Sequence, residues 1–209
     1  MAVQAHVAGV LLAAGGGSRL GQPKALVQIA GRTLADRGAA LLRAGGAAPV
    51  VVVTGAADVP VPGALVVRNQ DWSTGMGSSL ATGLAALPPA AAAVVIALAD
   101  QPLVGPEAVR RLIAAHTGGA GVAVAAYDGQ PRNPVLIARA HWPEVIAAGA
   151  GRDVGARPFL RRRPGLVTLV ECGDTGRMDD IDTPADLDRI TRLVEERDRA
   201  ADPGHHPEA

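Results

Sequence analysis

The chain has 209 residues, of which 48% are hydrophobic and 2% aromatic. That length suits one domain of ordinary size, with a closely packed core of Ala, Val, Leu and Ile. Its 20 basic and 20 acidic residues leave a net charge of +0, which argues against a general nucleic-acid or membrane-surface binder.

In chain order, residues 6–13 (HVAGVLLA) predict a buried strand and residues 15–23 a loop. Residues 25–29 read as a short extended piece, closed by a turn at Ala30, Gly31 and Arg32. A helix is expected over 33–43, with Thr33 as N-cap and Gly45-Gly46 as its stop. Strands follow at 49–54 (PVVVVT) and 65–68. A helix over 78–87 would be capped by Ser78 or Ser79 and ended by Pro88-Pro89. Residues 92–99 (AAVVIALA) form another strand, with Asp100 at its carboxyl end, and 106–116 a helix with Pro106 in its first turn. Strands at 122–127 and 135–138 flank a loop containing Asp128-Gly129; a short helix at 142–148, a last strand at 166–171 and a helix at 184–197 complete the pattern. The stretch from Arg199 is polar and contains Pro and Gly, so one domain over 1–198 and a disordered tail over 199–209 are expected. His205 and His206 fall in that tail and receive no role.

Unalternated apolar strands separated by helices indicate an α/β fold, a mostly parallel sheet with helices on both faces. The single Cys172 permits no internal disulfide and no CxxC zinc site, which fits a reducing cytoplasm. The N-terminal apolar stretch lacks a preceding cation and is too short to span a bilayer. The run Arg161-Arg162-Arg163 reads as a solvated face.

Ligands bind such sheets at the carboxyl ends of strands, where strand order reverses. The loop after the first strand is therefore a candidate site. Gly15, Gly16 and Gly17 let backbone N–H groups approach an anion, and Arg19 and Lys24 add two cations. Lys24 is the sole lysine; the other cationic side chains are arginines. A dinucleotide fold would need the loop to open a helix and an acid after the second strand, but Pro23 interrupts the loop and that strand ends at Thr54-Gly55. An ATPase phosphate loop would need Gly-Lys-Ser/Thr, whereas Gly21 is followed by Gln22-Pro23. There remain a loop that wraps a nucleoside triphosphate and a plain βα turn.

Nucleotide chemistry calls for a divalent cation on carboxylates. Asp100 stands where a strand end presents it, because Pro102 stops the ladder. A second acidic run is Asp179-Asp180-Ile181-Asp182 before Thr183-Pro184; here Asp182 or Thr183 is also a good helix N-cap, and both roles can hold. Glu107, Asp186 and Asp188 read as helix-surface acids, and Cys172 as packing.

The segments LAAGGGSRLGQPK (12–24), NQDWSTGMGSSLATGL (69–84), ADQP (99–102), GRDVGARPFL (151–160) and DIDTPADL (180–187) occur in the order seen in the molybdenum cofactor nucleotidyltransferases. The chain resembles that family over about residues 7–193, and its Leu-Ala-Ala-Gly form resembles the cytidylyl branch more than the guanylyl branch. The resemblance implies a Rossmann-like nucleotidyltransferase that moves CMP from CTP to molybdopterin with Mg2+ and releases pyrophosphate. Leu12, Ala13, Ala14 and Gly15 would line base and ribose, and Arg19 and Lys24 would contact the triphosphate. Asn69, Gly75 and Ser79 would serve the base side, and Asp100 and Asp182 would share the metal. Asp153 and Arg157 are candidates for the acceptor side, against the alternative that they pair with each other on the surface. The chain departs from the family pattern at Gly17, where many members have Ser, at Leu20, where they have Met, and at Arg132-Asn133-Pro134, where they often read Gly-His-Pro. Open alternatives are GTP or another phosphorylated acceptor, and a non-catalytic nucleotide-binding chaperone that serves a recipient molybdoenzyme.

Overall fold

The computed structural model describes residues 6–151 and 153–201. The strands are β1 (His6–Leu12), β2 (Gln28–Ile29), β3 (Arg32–Thr33), β4 (Val50–Thr54), β5 (Leu65–Arg68), β6 (Ala91–Leu98), β7 (Val122–Tyr127), β8 (Gln130–Ala138) and β9 (Val167–Glu171). The helices are α1 (Leu34–Ala44), α2 (Met76–Ala85), α3 (Pro106–Thr117), α4 (Trp142–Gly149), α5 (Arg157–Arg162) and α6 (Pro184–Ala201).

Seven strands form one sheet in the order β5-β4-β1-β6-β8-β7-β9, and β2 pairs with β3 apart from it. Pairs β4–β5, β1–β4, β1–β6 and β7–β9 are parallel, and β8 alone runs against its two neighbours. The antiparallel step comes from the hairpin between β7 and β8, whose two-residue turn puts Asp128 at φ 53° and Gly129 at φ 71°. Both angles are left-handed, as a tight hairpin turn of this kind demands.

Alternate residues of the buried strands go to opposite faces. Leu11, Val52 and Val95 pack with Leu34 and Leu42 of α1, Leu112 of α3, and Ile190 and Val194 of α6. Val10, Val53 and Ile96 pack with Leu80 and Leu84 of α2, Val145 of α4 and Phe159 of α5. The expected two-sided covering is thus present, and few aromatics are needed because Ala and Val fill the layers.

Thr33 caps α1 as expected, its hydroxyl accepting from Asp36 N at 3.1 Å. Four details differ from the sequence reading. Helix α2 starts at Met76 with Gly75 as N-cap, so Ser78 and Ser79 lie inside it and cap nothing. Strand β8 begins at Gln130, five residues early, because the tight turn lets pairing start at Tyr127–Gln130. Helix α5 was not anticipated; six residues are too few to show a period, and Phe159, fully buried, anchors it. Helix α6 runs to Ala201, so Arg199 is helical rather than tail, while residues 202–209 with His205 and His206 lie outside the described residues.

Candidate active site

Strands β1 and β6 are parallel neighbours whose registers end together, Leu12 opposite Leu98. Chain order reverses at β1, which has β4 on one side and β6 on the other. This is the switch-point crevice where ligands bind such sheets. Two features turn it into a site.

The first is the loop after β1. It folds back so that Leu20 N donates to Gly17 O at 2.8 Å and Lys24 N donates to Gly15 O at 3.3 Å. A residue twelve positions beyond the strand end thereby returns to it. Gly17 makes this fold possible: its φ is 60°, and a Cβ there would lie 2.0 Å from the carbonyl oxygen of Gln22. The second is the acidic segment before α6. Ile181 N donates to Asp100 O at 3.0 Å, and the fully buried Ile181 side chain plugs the core. With Ile181 turned inward, the flanking Asp180 and Asp182 share a cavity wall with Asp100.

Lys24 Nζ bridges the result, 2.7 Å from Asp100 Oδ2 and 2.7 Å from Asp182 Oδ1. Burial pulls the ammonium down, but the two carboxylates outweigh it and hold its pKa above the ordinary lysine value. Lys24 is therefore a fixed cation. Asp180 accepts from Gln101 Nε2 at 2.8 Å. Burial first, then repulsion from Asp100 and Asp182, raises the Asp180 pKa. Asp179 is taken up elsewhere, by Arg189 at 2.6 Å and Arg177 at 2.9 Å. The capping duty falls to Thr183: its hydroxyl accepts from Asp186 N at 3.2 Å, and the Asp186 carboxylate accepts from Thr183 N at 3.0 Å. Asp186 is thus half of a capping box rather than a plain surface acid, and Asp182 is left for the crevice.

A cavity of about 400 Å3 opens above this cluster. Its walls include Leu12, Ala13, Ala14, Gly15 and Gly16, together with Lys24, Gly75, Ser79, Asp100 and Asp153. Trp72, to which the sequence assigned no role, forms one side and covers Gly16 at 3.2 Å from the position of a Cβ. It reaches there because Gly55 has no side chain: a Cβ on Gly55 would lie 2.4 Å from Trp72 Cβ. Gly55 was the available signal, since a glycine directly after a buried strand marks a close approach.

The remaining predicted residues are placed as follows. Asn69 is buried behind the cavity wall, donating to Ser78 Oγ at 2.8 Å and Ser79 Oγ at 3.0 Å, and so orders the start of α2 from outside the cavity. Gly17 and Arg19 sit on the outer turn of the loop, with Arg19 exposed. Asp153 does not pair with Arg157; its carboxylate accepts from Met76 N at 2.9 Å and so caps α2 from a distant loop. Arg157 lines a second, larger cavity of about 930 Å3, together with Arg132, Asn133 and Arg161. Arg161 lines that cavity while staying exposed, as the solvated reading of the run expects; Arg163 of the same run pairs with Glu144 at 2.9 Å. The two cavities share Met76, Leu98 and Asp100, so they meet at the acidic seam. Cys172 is buried with Val104, Ala108, Ala125 and Tyr127, a packing position.

Among the described residues no group of three His, Cys, Asp or Glu side chains is placed to hold a metal. The Asp100 and Asp182 oxygens nevertheless converge on a single cationic centre, and such hard oxygen donors suit a hard divalent cation that takes its other ligands from phosphate and water.

Comparison with known proteins places the chain in a family. The family described as the MobA-like NTP transferase domain matches residues 9–167. The nicotine blue oxidoreductase of Paenarthrobacter nicotinovorans is 40% identical over 199 residues, covering 88% of this chain and 96% of that protein. The crystal structure of the Mycobacterium tuberculosis Rv0371c homologue from Mycobacterium sp. strain JC1 superposes with a TM-score of 0.79 at 30% identity, covering 91% of this chain and 98% of that one. Rv0371c itself, solved in complex with manganese, gives a TM-score of 0.74 at 25% identity over 90% of this chain and 98% of its own. The chain belongs to the MobA-like NTP transferases, a nucleotidyltransferase family, as its motifs lead one to expect.

Proposed function

We propose that this nucleotidyltransferase moves CMP from CTP onto the terminal phosphate of molybdopterin. The observation that carries the reading is the Lys24 ammonium held between Asp100 and Asp182 at the seam where two cavities meet. One cavity would take the nucleotide and the other the acceptor, so their reacting phosphates would meet at the seam. The acceptor phosphate oxygen would attack the α-phosphorus in line, the α–β bridging bond would break, and pyrophosphate would leave.

In such transfers positioning and charge neutralisation supply most of the catalysis. The backbone of Leu12–Gly15 and the Trp72 side would hold base and ribose. Lys24 would turn from its carboxylates to the triphosphate, and Arg19 would approach it from the open side. Asp100 and Asp182 would hold a divalent cation, Mg2+ in this reading, which polarises the α-phosphate when bound. The manganese complex of Rv0371c supports a divalent cation, and the Leu-Ala-Ala-Gly form of the loop supports CTP. A recipient molybdoenzyme would take the product. Among the described residues no helix is long and apolar enough to cross a membrane.

A second reading comes from the 40% identical relative, which is named an oxidoreductase. It would require a redox group, and the strand end at Thr54-Gly55 lacks the acid of a dinucleotide site. Pyrophosphate release from CTP, GTP, ATP and UTP, with Mg2+ or Mn2+ and with or without molybdopterin, tests the transfer. NADH and NADPH oxidation with nicotine blue tests the other reading. Release with CTP and molybdopterin together is expected. Release with another nucleotide would move the base assignment, and nicotine blue reduction without any release would overturn the transfer.

A further inference from the structure

The larger cavity has an unusual balance of charge. Its ionisable lining consists of Arg132, Arg157 and Arg161 together with Asp100, Asp180 and Asp182. The aspartates gather at the seam beside Lys24. The arginines come from elsewhere, Arg132 from β8 and Arg157 and Arg161 from α5. Among the described residues none of these three makes an ion pair with a carboxylate, and the one hydrogen bond of Arg132 goes to the adjacent Pro131 carbonyl at 3.3 Å. By contrast, Arg163 at the end of the same arginine run is committed to Glu144 through two bonds. The uncharged lining is mostly apolar, with Val124, Val135, Val167 and Leu169 from the sheet, beside the polar Gln101 and Asn133; Leu169 is 50% exposed.

A phosphate approaching the seam meets three carboxylates, offset by Lys24 and, in the reading above, by a divalent cation on Asp100 and Asp182. Those cations serve the triphosphate as well, so a second dianion is favoured by further positive charge on the acceptor side. Guanidinium groups are the side chains suited to that duty, since they stay charged and match phosphate oxygens in pairs. We propose that Arg132, Arg157 and Arg161 form the anion grip of the acceptor cavity and select acceptors that join a phosphomonoester to a flat apolar body. The proposal rests on the two-cavity reading above and assigns the residues that choose the second substrate.

Flavin mononucleotide has that chemistry, a flat ring system with a terminal phosphomonoester, and riboflavin is the same body without the phosphate. Both are titrated by fluorescence against the whole protein in saturating CTP. Saturable binding of the mononucleotide is expected, with riboflavin at least about tenfold weaker, as loss of charge-assisted hydrogen bonds implies. Arg132→Ala and Arg161→Ala should each weaken the mononucleotide about fivefold to thirtyfold, Arg132→Lys should recover part of it, and CTP affinity should stay unchanged. Equal binding of the two flavins, no saturable binding, or binding indifferent to loss of all three arginines would each overturn the grip. The side chains are exposed, so their loss leaves the core intact. The two assays separate the failures. An arginine-dependent preference for the mononucleotide without pyrophosphate release would retain the anion site and sink the transfer reaction. Release without that preference would do the reverse.

Discussion

Replacing Lys24 with Met should tighten divalent-metal binding in the nucleotide-free protein while lowering transfer. The ammonium lies 2.7 Å from one oxygen each of Asp100 and Asp182. A metal that takes those oxygens must first displace it. The Lys24 and Asp100 side chains are 19% and 20% exposed, so their bond counts as a partly buried charge-assisted one, about 2 kcal/mol. Asp182 is 46% exposed, and its share is discounted to about 0.5 kcal/mol. Together these set an upper bound near 2.5 kcal/mol, or roughly fiftyfold in the metal Kd at 1.4 kcal/mol per factor of ten. Because a displaced lysine finds water, the expected gain is on the order of tenfold. Mn2+ titration by electron paramagnetic resonance, without nucleotide, reads it directly. Asp100→Asn supplies the opposite sign, with weaker Mn2+ binding whether or not Lys24 is present. In the same Met variant kcat should fall by about a hundredfold or more, since a cation on the transferring phosphates is lost. Unchanged or weaker Mn2+ binding in Lys24→Met would refute the idea that lysine and metal compete for one place.

Three further outcomes are expected. Gly55→Ala puts a Cβ 2.4 Å from Trp72 Cβ and 2.9 Å from Ala14 Cβ, so the tryptophan must move; the nucleotide KM should rise about tenfold and stability fall by about 1–3 kcal/mol, and an unchanged KM would show that Trp72 does not shape the nucleotide cavity. Thr33→Ala removes the cap on Asp36 N and should lower stability by about 1 kcal/mol, seen as a drop in Tm of about 2–4 °C with no change in kcat. Glu171 is held below its ordinary 4.5 by the Gly173 N–H and then the Gly129 N–H. A depressed acid contributes stability above its unfolded value that is lost as pH falls through the folded one, so Glu171→Gln should lower Tm at pH 7 and shrink the further loss on moving to about pH 3.5. Parallel melts of both proteins check it, and equal acid losses would contradict the bonding seen at that carboxylate.

The sheet was legible because its strands are apolar runs with few competitors: the 49–54, 92–99 and 122–127 stretches read as buried strands. Thr33 was legible because capping is local. What escaped depends on contacts far apart in sequence. Met76 N is capped by Asp153, 77 positions away, and no local pattern announces such a cap. Helix α5 is anchored by one fully buried side chain, Phe159, and its three arginines read as a solvated run whose place along a cavity only the fold reveals for Arg161. Lys24 and the two aspartates were readable as chemistry, because a glycine loop and strand-end acids each suggest it. Their direct contact was not readable, since it needs the loop to return to the strand end and Ile181 to turn inward.

That contact also explains why a chain with one lysine among its 20 cationic residues keeps it at this position. An arginine here would present a planar fork, and its best partner would be both oxygens of a single carboxylate. The seam instead offers one oxygen from Asp100 and one from Asp182, which belong to separate segments tied by the Ile181–Asp100 backbone bond and the Gln101–Asp180 side-chain bond. A compact ammonium can sit between two such oxygens and donate to each. Its flexible stem also lets it leave them for a phosphate without moving the loop that carries it, which the Lys24 N to Gly15 O bond ties down. Arginine could satisfy the charge, but only lysine combines a point contact with a free swing. The one lysine of the chain therefore stands where the geometry of the seam suits an ammonium better than a guanidinium.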